Sequence, residues 1–157
     1  MMPNRVRPST ALLSLLCLVL AVGWAWREAA HAREGQAPVL SKTVTLDEVP
    51  MSAYKDDGKP VGQIGLYFNG ESELCSVLTT GRFVVDPGKS PHAPHVHPEE
   101  EILIVESGRG EIFCDGKTTK VGPGSVMFSA PNVPHNITCE GPEPMVFYFM
   151  KWLPKGQ

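Results

Sequence analysis

The chain has 157 residues, of which 42% are apolar and 20% charged, so it is long and apolar enough to fold as one domain with a packed core. This composition excludes disorder of the whole chain. Fifteen glycines and fifteen prolines occur without a repeat, which excludes a collagen-like chain. The 14 basic residues form no block and are outnumbered by 17 acidic ones, so the net charge of −3 argues against a nucleic-acid partner.

The first 32 residues are typical of an export signal. Arginines precede an uncharged apolar segment of 16 residues, Ala11–Trp26, and Ala30-His31-Ala32 supplies an A-x-A cleavage site. An uncleaved membrane anchor is the alternative, although such an anchor needs roughly 20 apolar residues. Both interpretations predict an exported domain, periplasmic or extracellular, and only the second gives it a membrane partner. Removing the leader's three Arg and one Glu leaves 11 basic and 16 acidic residues, a net charge of −5.

The rest of the chain is dense in strand signals. Residues 33–60 are predicted to form a polar tail with one strand at Lys42–Leu46, and residues 61–153 a folded β domain. Asp115-Gly116 predicts a tight hairpin, and no long segment keeps a helical period without Gly or Pro. The pattern predicts an all-β sandwich or small barrel. Its predicted strands are Gln63–Phe68, Cys75–Val85, Glu101–Glu106, Gly110–Cys114, Thr119–Val121, Ser125–Ser129, Asn136–Cys139 and Met145–Trp152.

Two of these strands are apolar on both faces. They contain the runs Ile102–Val105 and Met145–Met150, which is typical of strands covered on both sides. In a small barrel one face fills the interior, so the other must be covered by the N-terminal tail or by a second subunit. This pattern favours a homodimer. The phenylalanines are expected in the core, namely Phe83, Phe128, Phe147 and Phe149.

A histidine cluster in SPHAPHVHPEEE is the feature that points to chemistry. His95 and His97 are two residues apart, so an extended strand directs both to one face. Glu101 joins this face if the strand continues through Pro98, and Leu103 follows on the same face. A carboxylate among interior apolar residues is costly unless a cation neutralises it. We therefore predict one divalent transition metal, and these ligands suit Fe, Mn, Zn, Ni or Cu.

The segment GKSPHAPHVHPEEEILIVESG resembles the first motif of the cupin superfamily. In that motif a glycine precedes H-x-H, three residues, a glutamate, six residues and a second glycine. The corresponding positions here are Gly88, His95, His97, Glu101 and Gly108, with one additional residue between Gly88 and His95.

The segment GSVMFSAPNVPHNITC resembles the second motif of the same superfamily. Gly124 and His135 match the motif, while Ala130 and Cys139 replace its proline and its terminal asparagine. Asn132 stands at the turn glycine, and asparagine is among the few residues other than glycine that readily adopt positive φ. The second motif is therefore degenerate but retains its histidine.

The resemblance implies a single-domain, double-sheet jelly-roll barrel of six to eight strands. It implies metal ligands at His95, His97, Glu101 and His135, with open coordination positions for water or a small-molecule ligand. Family members include dioxygenases, isomerases and decarboxylases, and also non-catalytic binders of sugars or effectors. Because fold does not choose among these functions, an enzyme and a binding protein both remain open.

Three further polar residues lie near the motifs. His92 is expected at the barrel rim and is a weak candidate for substrate contact or proton transfer. Glu99 and Glu100 are predicted to be solvated loop acids, or to compete for the metal if the strand register differs by one residue.

The cysteines after the leader are an odd set, Cys75, Cys114 and Cys139. The resemblance makes the strands of Cys114 and Cys139 neighbours in one sheet. A disulfide between these two residues is therefore one alternative, and three free thiols are the other.

Overall fold

The structure, a computed structural model, describes residues 38–156, and the predicted leader lies outside them. Within this range no helix is long and apolar enough to cross a membrane. The strands in chain order are β1 (Ser52–Asp56), β2 (Lys59–Gly70), β3 (Cys75–Val85), β4 (Glu100–Ser107), β5 (Gly110–Cys114), β6 (Lys117–Val121), β7 (Val126–Ser129), β8 (His135–Cys139) and β9 (Met145–Pro154).

The strands form two antiparallel sheets. The larger sheet has the order β1-β2-β3-β9-β4-β7, and the smaller has the order β6-β5-β8. The buried core contains side chains from both sheets, such as Phe83 and Leu103 from the larger and Ile112 and Ile137 from the smaller. The prediction of an all-β, double-sheet jelly-roll barrel is confirmed.

The eight strands predicted after residue 60 are all present, and Cys75–Val85 and Gly110–Cys114 have the predicted bounds. The local turn predictions also hold. Asp115 and Gly116 have φ of 51° and 75°, as a tight hairpin requires, and Asn132 has φ of 60° in the place of the motif glycine.

The strand predicted at Lys42–Leu46 is wrong. A 3-10 turn occupies Leu46–Glu48 instead, and the Glu48 carboxylate accepts hydrogen bonds from the Thr45 backbone N–H at 2.7 Å and hydroxyl at 2.8 Å. This local capping of the turn outcompetes an extended conformation. The first strand, β1, comes later and pairs with β2.

The tail covers part of the outer face of the larger sheet. Val49 and Met51 lie over Gly65 of β2, where a Cβ atom would be 2.6 Å from a side-chain atom of each. Lys42 places its ammonium 5.9 Å from the centre of the Phe68 ring. The tail therefore covers the outer face of β2.

The outer face over β4, β7 and β9 remains exposed. Glu101, Leu103 and Val105 are buried, so Ile102 and Ile104 point to the opposite, outer face. The prediction that Phe128 belongs to the core is wrong, because it pairs with Ile102 on this face. The exposed apolar side chains are Ile104 at 39%, Val126 at 64%, Phe128 at 54% and Met150 at 38%.

The disulfide alternative is also wrong, since Cys75, Cys114 and Cys139 are all free. The strands of Cys114 and Cys139 are neighbours, as expected, but Cys114 pairs with His135 and Cys139 with Gly110. Cys114 and Cys139 are therefore offset by four positions along the paired strands, which corresponds to about 13 Å. Disulfides require Cα atoms within about 7 Å.

Candidate metal centre

The predicted metal ligands meet at one end of the barrel. Glu101 is near the start of β4 in the larger sheet, and His135 is the first residue of β8 in the smaller one. His95 lies in the loop before β4 and forms a two-residue bridge with His135, with N···O distances of 3.2 and 3.1 Å. The loop after β3 thus carries His95 and His97 to the mouth between the sheets.

Strand alternation places Glu101 on the face of His95 and His97 only if the strand continues through Pro98, and the structure does not meet this condition. β4 begins only at Glu100, after Pro98. Proline lacks the backbone N–H that a sheet ladder needs, so the segment before it leaves the sheet. The side chains nevertheless converge, because His95 is held by its bridge to His135.

Three imidazole rings form the centre of the site. One ring nitrogen each from His95, His97 and His135 lies within 4.8 Å of the other two. The Glu101 carboxylate adjoins this group, with Oε2 3.0 Å from His97 Nε2 and 2.9 Å from His135 Nε2. His135 and Glu101 are 2% and 8% exposed, so these polar groups are shielded from bulk water.

Each of the three rings points its Nδ1 atom at a backbone carbonyl oxygen. The distances are 3.2 Å from His95 to His135 O, 3.0 Å from His97 to Glu99 O, and 2.8 Å from His135 to Val133 O. A carbonyl oxygen only accepts hydrogen bonds, so these contacts favour the tautomer with the proton on Nδ1 in each ring, and at His135 the Ser129 hydroxyl lies 3.1 Å from the same nitrogen. In a neutral ring the Nε2 atom then has a free lone pair.

This arrangement fits a metal ion. The Nε2 atoms of His97 and His135 both face a carboxylate oxygen, and neutral rings would bring only acceptors together there. Either additional protons or a cation must lie among these atoms. Metal-ligating histidines also typically donate the other ring N–H to an outer partner such as a backbone carbonyl oxygen, as these three rings do. His95, His97 and His135 are thus a group that can hold a metal.

The electrostatics of the site follow from burial and these contacts. Burial opposes ionisation of Glu101, but hydrogen bonds from His135 and His97 outweigh it and lower its pKa to about 2. The hydrogen bond to Glu101 raises the pKa of His135 against the effect of burial. Burial, followed by the neighbouring histidines, lowers the pKa of His95 to about 4. The site therefore favours an ionised carboxylate and a neutral His95.

Glu99 belongs to this site, although it was predicted to be a solvated loop acid. It is only 7% exposed, and its carboxylate Oε2 lies 3.3 Å from His97 Nδ1, beside the Glu99 carbonyl that also faces this nitrogen. It therefore helps to orient His97. The available sequence signal was its position, because Glu99 is two residues from both His97 and Glu101.

A cavity of about 290 Å³ lies beside the imidazoles. An aromatic wall lines one side, in which Tyr54 meets Phe83 edge-on at 5.0 Å and Phe83 stacks on Phe147 at 5.5 Å between ring centres. His92 lines the cavity and its ring centre is 3.8 Å from that of His95. Lys151 of β9 also lines it. The sequence analysis did not identify Tyr54 and Lys151 as lining residues. They reach the cavity only because β1 pairs with β2 and because β9 pairs with β3 and β4.

The fold and this histidine group define a class of protein, a small two-sheet β barrel with a candidate metal centre at its mouth. Residues 81–151 match the family model of the cupin domain, Cupin_2. This match covers 71 of the 157 residues, including the four predicted metal ligands, and supports a small protein of the cupin superfamily. No curated protein matches its sequence.

Solved structures support the fold. An RmlC-like cupin from Shewanella frigidimarina is 17% identical, with a TM-score of 0.57 over 74% of this chain and 95% of that one. A cupin-2 domain from Rhodospirillum rubrum is 19% identical, with a TM-score of 0.57 over 74% and 77% of the two chains. A predicted oxalate decarboxylase from Thermotoga maritima is 22% identical, with a TM-score of 0.56 over 71% and 99%. At these identities the similarity shows the fold alone.

Proposed function

We propose that this protein is an exported metal-binding cupin that presents one divalent transition metal to a small organic ligand in its barrel. Three histidines and one carboxylate, His95, His97, His135 and Glu101, would hold the ion. The observation that carries the proposal is the set of Nδ1–H bonds to carbonyl oxygens, which turns the Nε2 lone pairs of His97 and His135 toward Glu101. A bound metal with open positions would supply Lewis acidity.

The protein's own residues determine what surrounds that ion. The loop carrying His95 and His97 is tied to β8, which orients the rings before any metal binds. The buried Glu101 carboxylate would offset part of the metal's charge. The aromatic wall excludes water from one side of the cavity, and His92 stands where it could exchange a proton with a ligand.

Metal analysis tests the site directly. Protein purified without chelators is expected to contain one metal ion per chain, and His97→Ala is expected to lose it because one lone pair is removed. His92→Gln is the matched control, because the His92 ring lies beside that of His95 but is not one of the proposed ligands. This variant is expected to keep its metal. Equal metal content in wild type and His97→Ala would contradict the proposal.

The enzymatic version is an oxygenase, isomerase or decarboxylase, and the alternative is a non-catalytic binder of a sugar or effector. The position of His92 beside His95 favours an enzyme, because the cavity then holds an acid–base group besides the ligand set. A His92→Gln variant that retains metal and ligand binding but loses turnover would support catalysis. Binding without turnover of any metal-loaded form would support the binder.

Export is part of the proposal and rests on the leader. The mature protein is expected to begin at Arg33 and to be recovered outside the cytoplasm. Mass spectrometry of the protein isolated from its native cell distinguishes this outcome from an uncleaved anchor. An intact leader on cytoplasmic protein would contradict export.

We also propose that the exposed outer face of β4, β7 and β9 pairs with a second copy of the chain. The tail covers β2 but leaves Ile104, Val126, Phe128 and Met150 open, and a twofold contact would bury this patch against itself. Sedimentation of the wild type at micromolar concentration is expected to show a dimer. Phe128→Lys is expected to give a monomer, whereas Leu74→Lys, on another surface, is expected to leave the dimer intact. A monomeric wild type would contradict this pairing.

A further inference from the structure

We infer that the ligand of this cavity is a small organic carboxylate with an apolar or aromatic body, and that its anionic group pairs with Lys151. The inference deepens the proposed function and rests on it for the metal at the other end of the ligand. Three independent features of the cavity carry it: the position of Lys151, the balance of charge, and the mainly aromatic and aliphatic character of the remaining wall.

Lys151 occupies an inward position of β9. It pairs across the sheet with Thr79 of β3 and Glu101 of β4, which are 7% and 8% exposed. The alternation of the strand places Phe147, Phe149 and Lys151 on the same side, and all three line the cavity. A lysine on this face directs its ammonium group into the space beside the imidazoles rather than into solvent behind the sheet.

The charges of the cavity do not balance without an anion. Glu101 is the one carboxylate among the described residues that line it, and that carboxylate is already engaged by His97 and His135. Lys151 forms no ion pair with any residue in the range 38–156. With a divalent ion beside Glu101, and with the Glu99 carboxylate behind His97 included, the site would still hold one uncompensated positive charge. A partly buried cation is stabilised by an opposite charge, which an anionic ligand supplies.

The rest of the lining suits an apolar body rather than a sugar. Among the neutral hydrogen-bonding side chains of the lining, Thr79 donates to Asn69 at 3.0 Å and Asn136 to Ser90 at 3.4 Å, so the Tyr54 hydroxyl and part of the Asn136 amide remain for a ligand. A polyhydroxylated ligand would find few partners here for the hydrogen bonds to water that it loses. The remaining wall is aromatic or aliphatic, and 290 Å³ is about twice the ~150 Å³ that holds a benzene ring. A ring with a carboxylate therefore fits.

Calorimetric titration of the metal-loaded protein with benzoate and with benzamide tests this inference. The two probes have nearly the same shape and differ in charge. Benzoate is expected to bind at least about tenfold more tightly, because hydrogen bonds to charged groups are the stronger ones. Acetate, which has the charge without the ring, is expected to bind more weakly than benzoate. Equal affinity for benzoate and benzamide would overturn the inference.

Substitutions then assign the preference to Lys151. Lys151→Met keeps the aliphatic stem and is expected to lower benzoate affinity about tenfold or more while leaving benzamide affinity unchanged. Lys155→Met is the matched control, since it removes the same charge from an exposed lysine that pairs with Glu71. Lys151→Arg is expected to restore the preference, which also covers the case in which Lys151→Met fails to fold. An unchanged preference in a folded Lys151→Met variant would overturn the inference.

Metal content separates this inference from the proposed function. Protein without stoichiometric metal that still binds benzoate through Lys151 would contradict the metal proposal and support the anion site. Metal-loaded protein that ignores the charge of the probe would support the metal proposal and overturn the anion site.

Discussion

The Nε2 atom of His135 lies 2.9 Å from the Oε2 atom of Glu101, although the residues are 34 positions apart and belong to different sheets. This contact joins the larger and smaller sheets at the open end of the barrel. It brings a carboxylate and an imidazole together where little water reaches them. Protons and a metal ion are therefore alternative occupants of the same small space.

The stability of the metal-free protein should depend on pH through this contact. The depressed pKa of Glu101, about 2 against an ordinary 4.5, contributes stability above pH 4.5 that is lost as pH falls toward 2. The raised pKa of His135 contributes stability below its ordinary 6.5 that is lost as pH rises through the folded value. The stability of wild type relative to Glu101→Gln should therefore be greatest between pH 4.5 and 6.5.

Urea unfolding in the presence of a chelator measures this difference across the pH range. Saturating metal is the control, since the ion replaces the protons on the imidazoles and should remove the maximum. A difference between wild type and Glu101→Gln that stays constant from pH 3 to 8 would show that the contact contributes no pH-dependent stability.

Glu99 should contribute to metal affinity without ligating the ion. The Glu99 carboxylate lies 3.3 Å from His97 Nδ1, where it orients the imidazole and increases the basicity of the ring. Glu99→Gln removes the negative charge and weakens both effects. Loss of such an outer partner typically costs about 10–100-fold in metal affinity. Competition with a fluorescent chelator measures the change, and the neighbouring, half-buried Glu100 provides the control Glu100→Gln. Equal effects of the two substitutions would point to net charge rather than to orientation of His97.

The aromatic wall should be important for stability as well as for the shape of the cavity. Phe83 is 4% exposed and packs against Tyr54 and Phe147, so Phe83→Ala should lower the free energy of unfolding by about 3–5 kcal/mol. Phe128→Ala makes the same chemical change at a residue that is 54% exposed, and should cost much less. Chemical denaturation at low protein concentration compares them without a contribution from self-association. Similar losses would contradict the burial difference.

The three cysteines outside the leader should all be available as thiols. Cys114 and Cys139 lie at opposite ends of paired strands, so no disulfide can form between them without moving the backbone. Alkylation in denaturant without a reductant should add three groups to the protein that lacks its leader, as read by intact mass. Addition of a single group would reveal a disulfide and require a different register of β5 and β8.

Local features of this protein were readable in its sequence. Short apolar runs bounded by Gly, Pro, Asp and Asn define strands through sterics and alternation, and Asp115-Gly116 and Asn132 specify turns through their own φ preferences. The motif residues His95, His97, Glu101 and His135 were also identifiable, because their spacing is a property of the chain.

Other features arose only when distant segments packed together. The sequence pattern of the polar tail did not predict β1, yet the pairing of β1 with β2 brings Tyr54 against Phe83. Glu99 is buried against His97, and Lys151 lines the cavity from β9, which lies between β3 and β4. Strand period and turn type depend on neighbouring residues, whereas burial and the sharing of charge depend on the sheets that surround a side chain. The sequence by itself therefore determined the strands and the histidine motif, and the tertiary structure decided which further groups surround the metal centre.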